Sequence, residues 1–349
     1  MRSVKLKSNF IAVRIVGVAF ILAVCWSCVE TGKTSSEQEA EISSIITAPK
    51  DTTITDDGFE AISLLGTKLY PPEIPSRTQR LLEANLQEAL NDFNQNPDSL
   101  ENIIWYGRRL AYLYRLKESI KVYSDGLAQF PDSYRLLRHR GHRYISLRDF
   151  DRATQDLEQA AFLIRGLDSL MIEPDGAPNK LNRPLSNTQF NIWYHLGLAY
   201  YLKGNYDKAI SAYKKCMEVS NNDDLVLATT DWLYMTYRKT GNVEAAKALI
   251  EPIKKRMNVI ENDAYHKRIL MYKGDIDPTE LIDLRRTNDP GVSLKIATQG
   301  YGVANWYLYN GEVNKARQLF EKIVEGTSWT AFGYIAAEVD LANLNAGGL

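Results

Sequence analysis

The side chains best suited to acid–base or metal chemistry are four histidines: His139, His142, His195 and His266. His139 and His142 are three residues apart, so a helix would place both on one face, as a metal site requires. However, Arg138, Arg140 and Arg143 interleave them, and these cations would repel a metal ion. No acidic residue lies close by to complete a ligand set. The pattern therefore predicts ordinary helix-face histidines, with no metal and no cofactor.

Two carboxylate pairs and a Gly-Lys-Thr triplet are the other patterns that could indicate catalysis. Asp149 and Asp151, like Asp223 and Asp224, fall where helices should begin or turn, and aspartate at such positions caps backbone N–H groups. Residues 32–34 lack the earlier glycine that a phosphate-binding loop requires. These patterns predict structural roles, and we expect no enzymatic activity.

The charge balance excludes one class of partner. The 349 residues include 42 basic and 43 acidic side chains, a formal net charge of −1. This balance is too even for gripping nucleic acid by bulk charge. An apolar fraction of 45% and a charged fraction of 24% are typical of a globular chain. Three cysteines, Cys25, Cys28 and Cys216, are too few for a disulfide framework.

The amino terminus has the pattern of an export signal. Residues 1–14 carry four basic side chains and no acid, residues 15–24 are an uncharged apolar run, and the sequence CWSC follows at 25–28. A basic start, a short apolar run and a small residue are typical of a secretory signal. The apolar run is shorter than the ~20 residues needed to span a bilayer.

A cysteine closing such a run resembles the signal of bacterial lipoproteins, where the cysteine is diacylated and becomes the new amino terminus. We favour Cys28 over the alternative Cys25, because Ser27 provides the small residue that the cleaved bond needs, whereas a bulky valine precedes Cys25. The resemblance implies a signal peptide at 1–27 and a lipid anchor as the membrane contact. The rest of the chain would lie in the periplasm or at the cell surface. Residues 28–74, first polar and acidic and then proline-rich, predict a flexible tether and an extended segment.

Small residues and prolines recur at an interval of 34 residues. Gly107 and Gly141 share this offset, as do Pro97 and Pro131. Such self-similarity is the signature of a repeat architecture. The clearest unit is Trp193-x2-Leu196-Gly197-x2-Tyr200, followed by Gly204, Ala209 and Tyr213.

This unit resembles the tetratricopeptide repeat, with Tyr213 in place of the usual phenylalanine. The resemblance implies an all-α fold, a right-handed superhelical α-solenoid of helix hairpins over residues 75–349. Gly197 and Ala209 would lie where the two helices of a hairpin cross, because only small side chains let the backbones approach. Gly204 would adopt the left-handed conformation in the turn between them.

One insertion interrupts the period. Gly141 and Gly197 are 56 residues apart, which is one period of 34 plus 22. The extra residues lie at about 166–187, where Pro174, Pro184 and other helix breakers forbid a continued helix. Such a loop often belongs to the binding face of a repeat array, and a tolerated surface insertion is the equal alternative.

The resemblance also implies a binding groove, because the first helix of each hairpin lines the inner face of such arrays. The stripe facing the groove is offset by one residue from the packing stripe. Its positions are rich in tyrosines and cations, the residue types that anchor partners. The predicted groove residues are Arg108, Tyr112, Arg138, His142, Tyr194, Tyr201, Asp231, Arg268, Tyr301, Asn305 and Tyr309.

We expect a membrane-tethered scaffold that binds a protein or peptide in this groove. The alternative is a small-molecule or glycan-binding surface lipoprotein that uses the tyrosines, which would then enclose a pocket instead of lining an open trough. An enzyme built on His142, Asp231 and Arg268 comes third. The peptide-carboxylate clamp of tetratricopeptide co-chaperones is not expected, because Ile104 and Arg108 stand where that clamp has Lys and Asn.

Overall fold

A computed structural model describes residues 57–167, 169–174, 179–282 and 290–347, and most of these residues are helical. The predicted signal peptide, Cys25, Cys28 and the start of the tether lie outside the described residues. Within those ranges, no helix is both long and apolar enough to cross a bilayer.

Consecutive helices form hairpins, and along the first part of the array each helix packs against its neighbours in sequence. The first seven helices are α1 (Ser76–Gln95), α2 (Leu100–Tyr112), α3 (Leu116–Gln129), α4 (Tyr134–Ser146), α5 (Phe150–Leu163), α6 (Thr188–Leu202) and α7 (Tyr206–Glu218).

The second part of the array is less regular. It comprises α8 (Asp223–Lys239), α9 (Val243–Ile250), α10 (Asp263–Tyr272), α11 (Pro278–Leu281), α12 (Pro290–Lys295), a π-helical turn (Ile296–Gly300), α13 (Tyr301–Tyr309), α14 (Val313–Val324) and α15 (Phe332–Asn345). A two-stranded antiparallel hairpin, β1 (Ala61–Ile62) and β2 (Lys68–Leu69), precedes all the helices. The predicted all-α array of helix hairpins is therefore confirmed.

Short polar side chains start seven of the helices. Each accepts a hydrogen bond from the backbone N–H three residues further on and so satisfies a donor that the helix leaves unpaired. These caps are Ser99, Ser133, Asp149, Asn187, Asn205, Asn222 and Asn242. The carboxylate of Asp224 acts across elements instead, accepting the backbone N–H groups of Ile260, Glu261 and Asn262 just before α10.

Glycines let the two helices of a hairpin approach closely. A Cβ atom on Gly197 would lie 2.7 Å from the ring of Tyr213, and one on Gly141 would lie 2.8 Å from Leu157. Gly107 faces Tyr123 in the same way. The glycine and its partner are 16 residues apart in all three hairpins, so one crossing geometry recurs along the array.

The turn within each hairpin needs a left-handed residue two positions before the second helix. Gly204, with φ of 72°, and Gly241, with φ of 71°, supply it, as glycine does without a steric penalty. Earlier in the chain Tyr114 and Arg148 occupy the equivalent positions, with φ of 60° and 65°. A non-glycine residue there is strained, so the side chains of Tyr114 and Arg148 must serve a purpose.

The segment between α5 and α6 forms no helix in its described part. Ile172 and Asn187 pair in an isolated antiparallel bridge, which brings the end of the segment back to the start of α6. The carboxylate of Glu173 is buried and accepts a hydrogen bond of 3.0 Å from Asn191 on α6. Glu173 and the end of the segment are therefore packed onto α6, whereas most of the other described residues of the insertion are exposed.

Part of the segment expected to be a tether is folded. The carboxylate of Glu60 accepts the backbone N–H groups of Leu116 and Lys117 at the start of α3, at 2.9 and 3.0 Å. The backbone carbonyl of Tyr70 accepts a hydrogen bond of 2.7 Å from the indole of Trp329. The β-hairpin thus lies between an early helix hairpin and the last helix of the chain.

Candidate functional site

The first helices of the successive hairpins lie side by side and define the inner face. This row is α2, α4, α6, α8, α10 and α13, and all eleven predicted groove residues lie on it. We call α2 and α4 the front part of the inner face and the later helices its rear part.

Seven of the eleven predicted groove residues are buried: Arg138, Tyr194, Tyr201, Asp231, Arg268, Tyr301 and Asn305. The other four are half-buried: Arg108, Tyr112, His142 and Tyr309. The open tyrosine-lined trough expected from the sequence is therefore not what the structure contains in the rear part. Whether these residues bind a partner stays a prediction.

An ion pair fills the middle of the rear part. The guanidinium of Arg268 forms two hydrogen bonds to the carboxylate of Asp231, one of them 3.0 Å from Nε to Oδ1, and both side chains are completely buried. Tyr272 donates to the same carboxylate at 3.1 Å, and Arg268 also donates to the carbonyl of Thr298. Burial raises the pKa of Asp231 to about 6, while Arg268 and Tyr272 oppose that rise. Because its donors and acceptors are used internally, the pair acts as a structural element.

Two tyrosines predicted to face a ligand instead bond to each other. Asn305 donates to the hydroxyl of Tyr201 at 2.8 Å, and that hydroxyl lies 2.5 Å from the hydroxyl of Tyr301. Tyr301 donates in turn to the carboxylate of Asp340 at 3.0 Å, and Lys239 pairs with the same carboxylate at 2.6 Å. This chain of hydrogen bonds links α6 and α13 to the last helix.

The last helix, α15, occupies the rear part of the inner face. Nine of its fourteen residues are buried, and they lie on every side of the helix. It packs against α6, the π-helical turn, α13 and α14. The ring of Phe332, at its first residue, lies 5.2 Å from His142 and 5.5 Å from His195 between centroids. The chain's own closing helix therefore takes up the space where a rear groove was expected.

A second buried ion pair holds α15 from the opposite side. The guanidinium of Arg148 donates to the carboxylate of Glu338 at 2.9 Å from Nε and 2.7 Å from Nη2, and also to the carbonyl of Trp329. The backbone N–H of Leu64, in the β-hairpin, donates to the same carboxylate at 3.4 Å. The strained turn residue Arg148 thus aims its side chain at the closing helix. Tyr114, the other strained turn residue, packs its ring 5.5 Å from that of Trp329.

The main packing of α15 is against the rear part of the inner face, and α15 reaches the front part at His142, which contacts Phe332. There Arg108 donates to the backbone carbonyl of Pro174 at 2.9 Å and to the hydroxyl of Tyr112 at 3.3 Å. Arg138 pairs with Glu173 from the insertion at 3.0 Å. These side chains form a cationic, tyrosine-bearing surface between α2, α4 and the insertion.

Three of the four histidines, His139, His142 and His195, are neutral packing residues. Burial and neighbouring arginines hold the pKa values of His139, His142 and His195 well below their usual range. The rings of His142 and His195 lie 4.4 Å apart, a separation compatible with two uncharged rings. Across the described ranges, no three His, Cys, Asp or Glu side chains converge as metal ligands would. Cys216 is buried, and burial raises the pKa of its thiol to about 12.

A small cavity of about 230 Å³ remains between α15 and the inner helices. Its walls include His142, Trp232, Tyr265, Arg268 and Phe332. The tyrosines that the small-molecule alternative would use, Tyr194, Tyr201, Tyr301 and Tyr309, do not line it. The cavity is also smaller than the 300–1,000 Å³ typical of ligand sites, so the tyrosines enclose no ligand-sized pocket there.

Comparison with known protein families identifies the same type of repeat that the structure contains. Residues 190–223 match the family model of the tetratricopeptide repeat. The chain contains a tetratricopeptide repeat. These residues span α6 and α7 with the Gly197–Tyr213 contact between them, so the tetratricopeptide type of hairpin is the building unit of this all-α fold.

Two curated relatives share part of this repeat region. Over 158 residues the chain is 28% identical to the BBSome complex member BBS4 of Bos taurus and 26% identical to that of Mus musculus. Each match covers 44% of this chain and 26% of the relative, so the chain spans about a quarter of the length of these relatives.

Solved tetratricopeptide structures show a looser likeness. A repeat protein from Parabacteroides merdae is 14% identical, with 76% of this chain and 94% of that chain covered and a TM-score of 0.44. YrrB, a protein described as having an unusual peptide-binding site, is 15% identical, with 75% and 98% covered and a TM-score of 0.36. The fold assignment depends on the hairpins and the repeat match themselves.

Several residues that shape the site were missed by the sequence reasoning. Glu338 and Asp340 on α15 fix the closing helix, and Glu173 supplies the carboxylate at the front part. Two signals could have revealed them. Residues 332–344 lack a polar face, which is typical of a helix buried all round. In addition, Arg148 stands where later hairpins have glycine.

Removing one member of the buried Asp231–Arg268 pair should strongly destabilise the protein. We expect Arg268→Met to lower the free energy of unfolding by about 3–5 kcal/mol, because it leaves the Asp231 carboxylate buried without a cation. Lys267→Met, at the exposed neighbouring position, should change it by less than about 0.5 kcal/mol. The double variant Asp231→Leu/Arg268→Met should recover most of the loss. Urea unfolding followed by circular dichroism measures all three, and equal effects of Arg268→Met and Lys267→Met would refute the structural role.

Proposed function

We propose that this protein is a non-catalytic scaffold that binds a protein or peptide through the front part of its inner face. The observation that supports this proposal is the surface formed by Arg108, Tyr112 and Arg138, which α15 does not cover. Arginine and tyrosine are the residue types that most often anchor protein partners. Their position on first helices is the position from which repeat arrays present binding surfaces.

The proposal places the partner at the front part for a physical reason. In the rear part, the hydroxyls of Tyr201 and Tyr301 and the amide nitrogen of Asn305 are hydrogen-bonded within the protein, and α15 lies over them. A partner there would have to displace a helix with two buried ion pairs. At the front part, Arg108 and Tyr112 are half-buried and can gain contacts without unfolding anything.

The relatives give this proposal a context. BBS4 is named as a member of a multi-protein complex, the BBSome, and membership of an assembly is the kind of role that a non-catalytic repeat scaffold performs. The shared region is about a quarter of that protein, so the proposal for this chain is limited to the binding of a protein partner in general.

We also propose that the scaffold is exported and tethered by a lipid on Cys28, with the repeats in the periplasm or at the cell surface of a bacterium. The support is the basic start, the short apolar run and the Ser27-Cys28 junction. A single buried cysteine in the folded part suits an oxidising compartment, because it offers no pair for unwanted disulfides.

The lipid anchor predicts which cysteine carries acyl chains. In bacteria fed an alkyne-bearing fatty acid, the full chain and its Cys25→Ser variant should become labelled, whereas Cys28→Ser should not. Cys216→Ser serves as the matched control, since that thiol is buried and should not matter. Label on the Cys28→Ser variant, or none on the parent chain, would contradict the anchor.

The scaffold proposal predicts a partner contact confined to the front part of the inner face. A photo-crosslinking amino acid replacing Tyr112 should capture one protein in cells, and the same amino acid replacing the exposed Lys121 on α3 should not. The charge reversal Arg108→Glu should reduce the amount of product crosslinked at position 112 by at least about tenfold. The reason is that an anchoring cation at the centre of an interface contributes about 2 kcal/mol or more to binding. Lys121→Glu is the matched control and should leave it unchanged.

Three outcomes of that experiment would contradict the proposal. They are no product at position 112, an equal product at position 121, and a product insensitive to Arg108→Glu. Circular dichroism of each variant establishes that the fold is retained.

A further inference from the structure

Three arginines converge on the front part of the inner face. Arg108 comes from α2, and Arg138 and Arg143 come from α4. Burial lowers the pKa of both Arg138 and Arg143, and the charges of the neighbouring arginines lower both pKa values further. Arg108 reaches the carbonyl of Pro174 and Arg138 reaches the carboxylate of the preceding residue, Glu173, so these two guanidinium groups lie side by side, and the charges of both act on Arg143.

The described residues supply too little negative charge for this cluster. Glu173 pairs with Arg138 at 3.0 Å, whereas the partners of Arg108 are a carbonyl and a tyrosine hydroxyl, which carry no charge. Glu101 also acts on Arg108, but it is engaged by Arg135. Three guanidinium groups against one carboxylate leave a formal charge of +2.

Two donors of the cluster have no acceptor among the described residues. The Nε of Arg138 is buried and makes no hydrogen bond, and the residue as a whole is only 9% exposed. The guanidinium of Arg143 makes neither a hydrogen bond nor an ion pair with any residue in the described ranges, and the residue is half-buried. Buried donors are normally paired, so each such exception needs an explanation.

Aromatic hydroxyls border the same cluster. The hydroxyl of Tyr112 accepts from Arg108 and keeps its own proton free to donate. Tyr123, completely buried, lies close enough to Arg143 for that charge to act on its hydroxyl. Among the described residues, the surroundings thus offer hydrogen-bond donors, with Glu173 paired to Arg138 and Glu101 engaged by Arg135, the reverse of what a cation would require.

We propose that this arginine cluster binds the phosphate group of a phosphomonoester. A phosphomonoester carries about −1.5 to −2 charges at pH 7 and three acceptor oxygens, which balances the +2 of the cluster. A single carboxylate would leave half of it uncompensated. Guanidinium groups match the geometry of phosphate oxygens and bind them with paired hydrogen bonds. This inference rests on the proposed function, because it names the chemical group that a ligand of the same surface would carry.

Phosphate can come from a free small molecule or from a phosphorylated side chain of the partner, and both share the group recognised here. The test uses the full chain in a neutral detergent, with isothermal titration at low salt. Phenyl phosphate is the probe for the dianion, and benzoate is the matched monoanion. We expect phenyl phosphate to bind at least tenfold more tightly than benzoate.

Variants locate the binding site. Arg143→Gln should weaken phenyl phosphate binding at least tenfold, because that guanidinium is free to bind. Without ligand it should melt at the same temperature as the parent or higher, since it removes a repulsive charge. Arg77→Gln, at an exposed arginine of α1, is the control and should leave binding unchanged. The inference is overturned if benzoate binds as tightly as phenyl phosphate, or if Arg143→Gln has no more effect than Arg77→Gln.

A phosphoserine peptide and its unphosphorylated form identify the source of the phosphate. Tighter binding of the phosphopeptide than of phenyl phosphate assigns the site to a protein ligand, and equal binding assigns it to a free phosphomonoester. Either result supports the site. A failure of phosphate binding leaves the crosslink at position 112 intact, so the two proposals can fail separately.

Discussion

The carboxylate of Glu338 is completely buried. A charged carboxylate in that environment destabilises the fold unless a cation pairs with it. Its cation is Arg148, which lies 190 residues earlier in the chain. Two residues further along the same helix, Asp340 meets Lys239 and Tyr301. Because the cations come from different hairpins, these pairs fix where α15 lies. The filled rear part of the inner face and the uncovered front part both follow from that placement.

Two turn residues show that the first hairpins are adapted to contact α15 and the segment just before it. Tyr114 and Arg148 adopt left-handed conformations that cost a non-glycine residue on the order of 1–2 kcal/mol each. Both side chains reach the closing segment, Tyr114 through the ring of Trp329 and Arg148 through Glu338. Later hairpins have no such contact to make, and they carry glycine at the same position. The first hairpins therefore accept local strain in exchange for a long-range contact.

The sequence predicted the hairpins well because their geometry is local. The close approach of the helices at Gly197 and the left-handed turn at Gly204 are encoded within one repeat, and the structure confirms them. The same logic placed the predicted groove residues on the inner face. It could not show that Tyr201 and Tyr301 are covered, because their neighbour Asp340 belongs to an element that no repeat spacing positions. The spacing within a repeat predicts which residues of a helix face the inner surface of the array. It does not predict which other segments of the chain pack onto that surface.

The most direct test of this account is hydrogen–deuterium exchange of α15, measured by mass spectrometry on the full chain. If α15 lies in the rear part of the inner face, peptides from Phe332–Asn345 should exchange as slowly as those from α6, which is buried along almost its whole length. The exposed helix α1, in which only Ala89 is buried, gives the contrasting rate. Exchange of α15 as fast as that of α1 would mean that the helix does not occupy the inner face, and the account would be wrong.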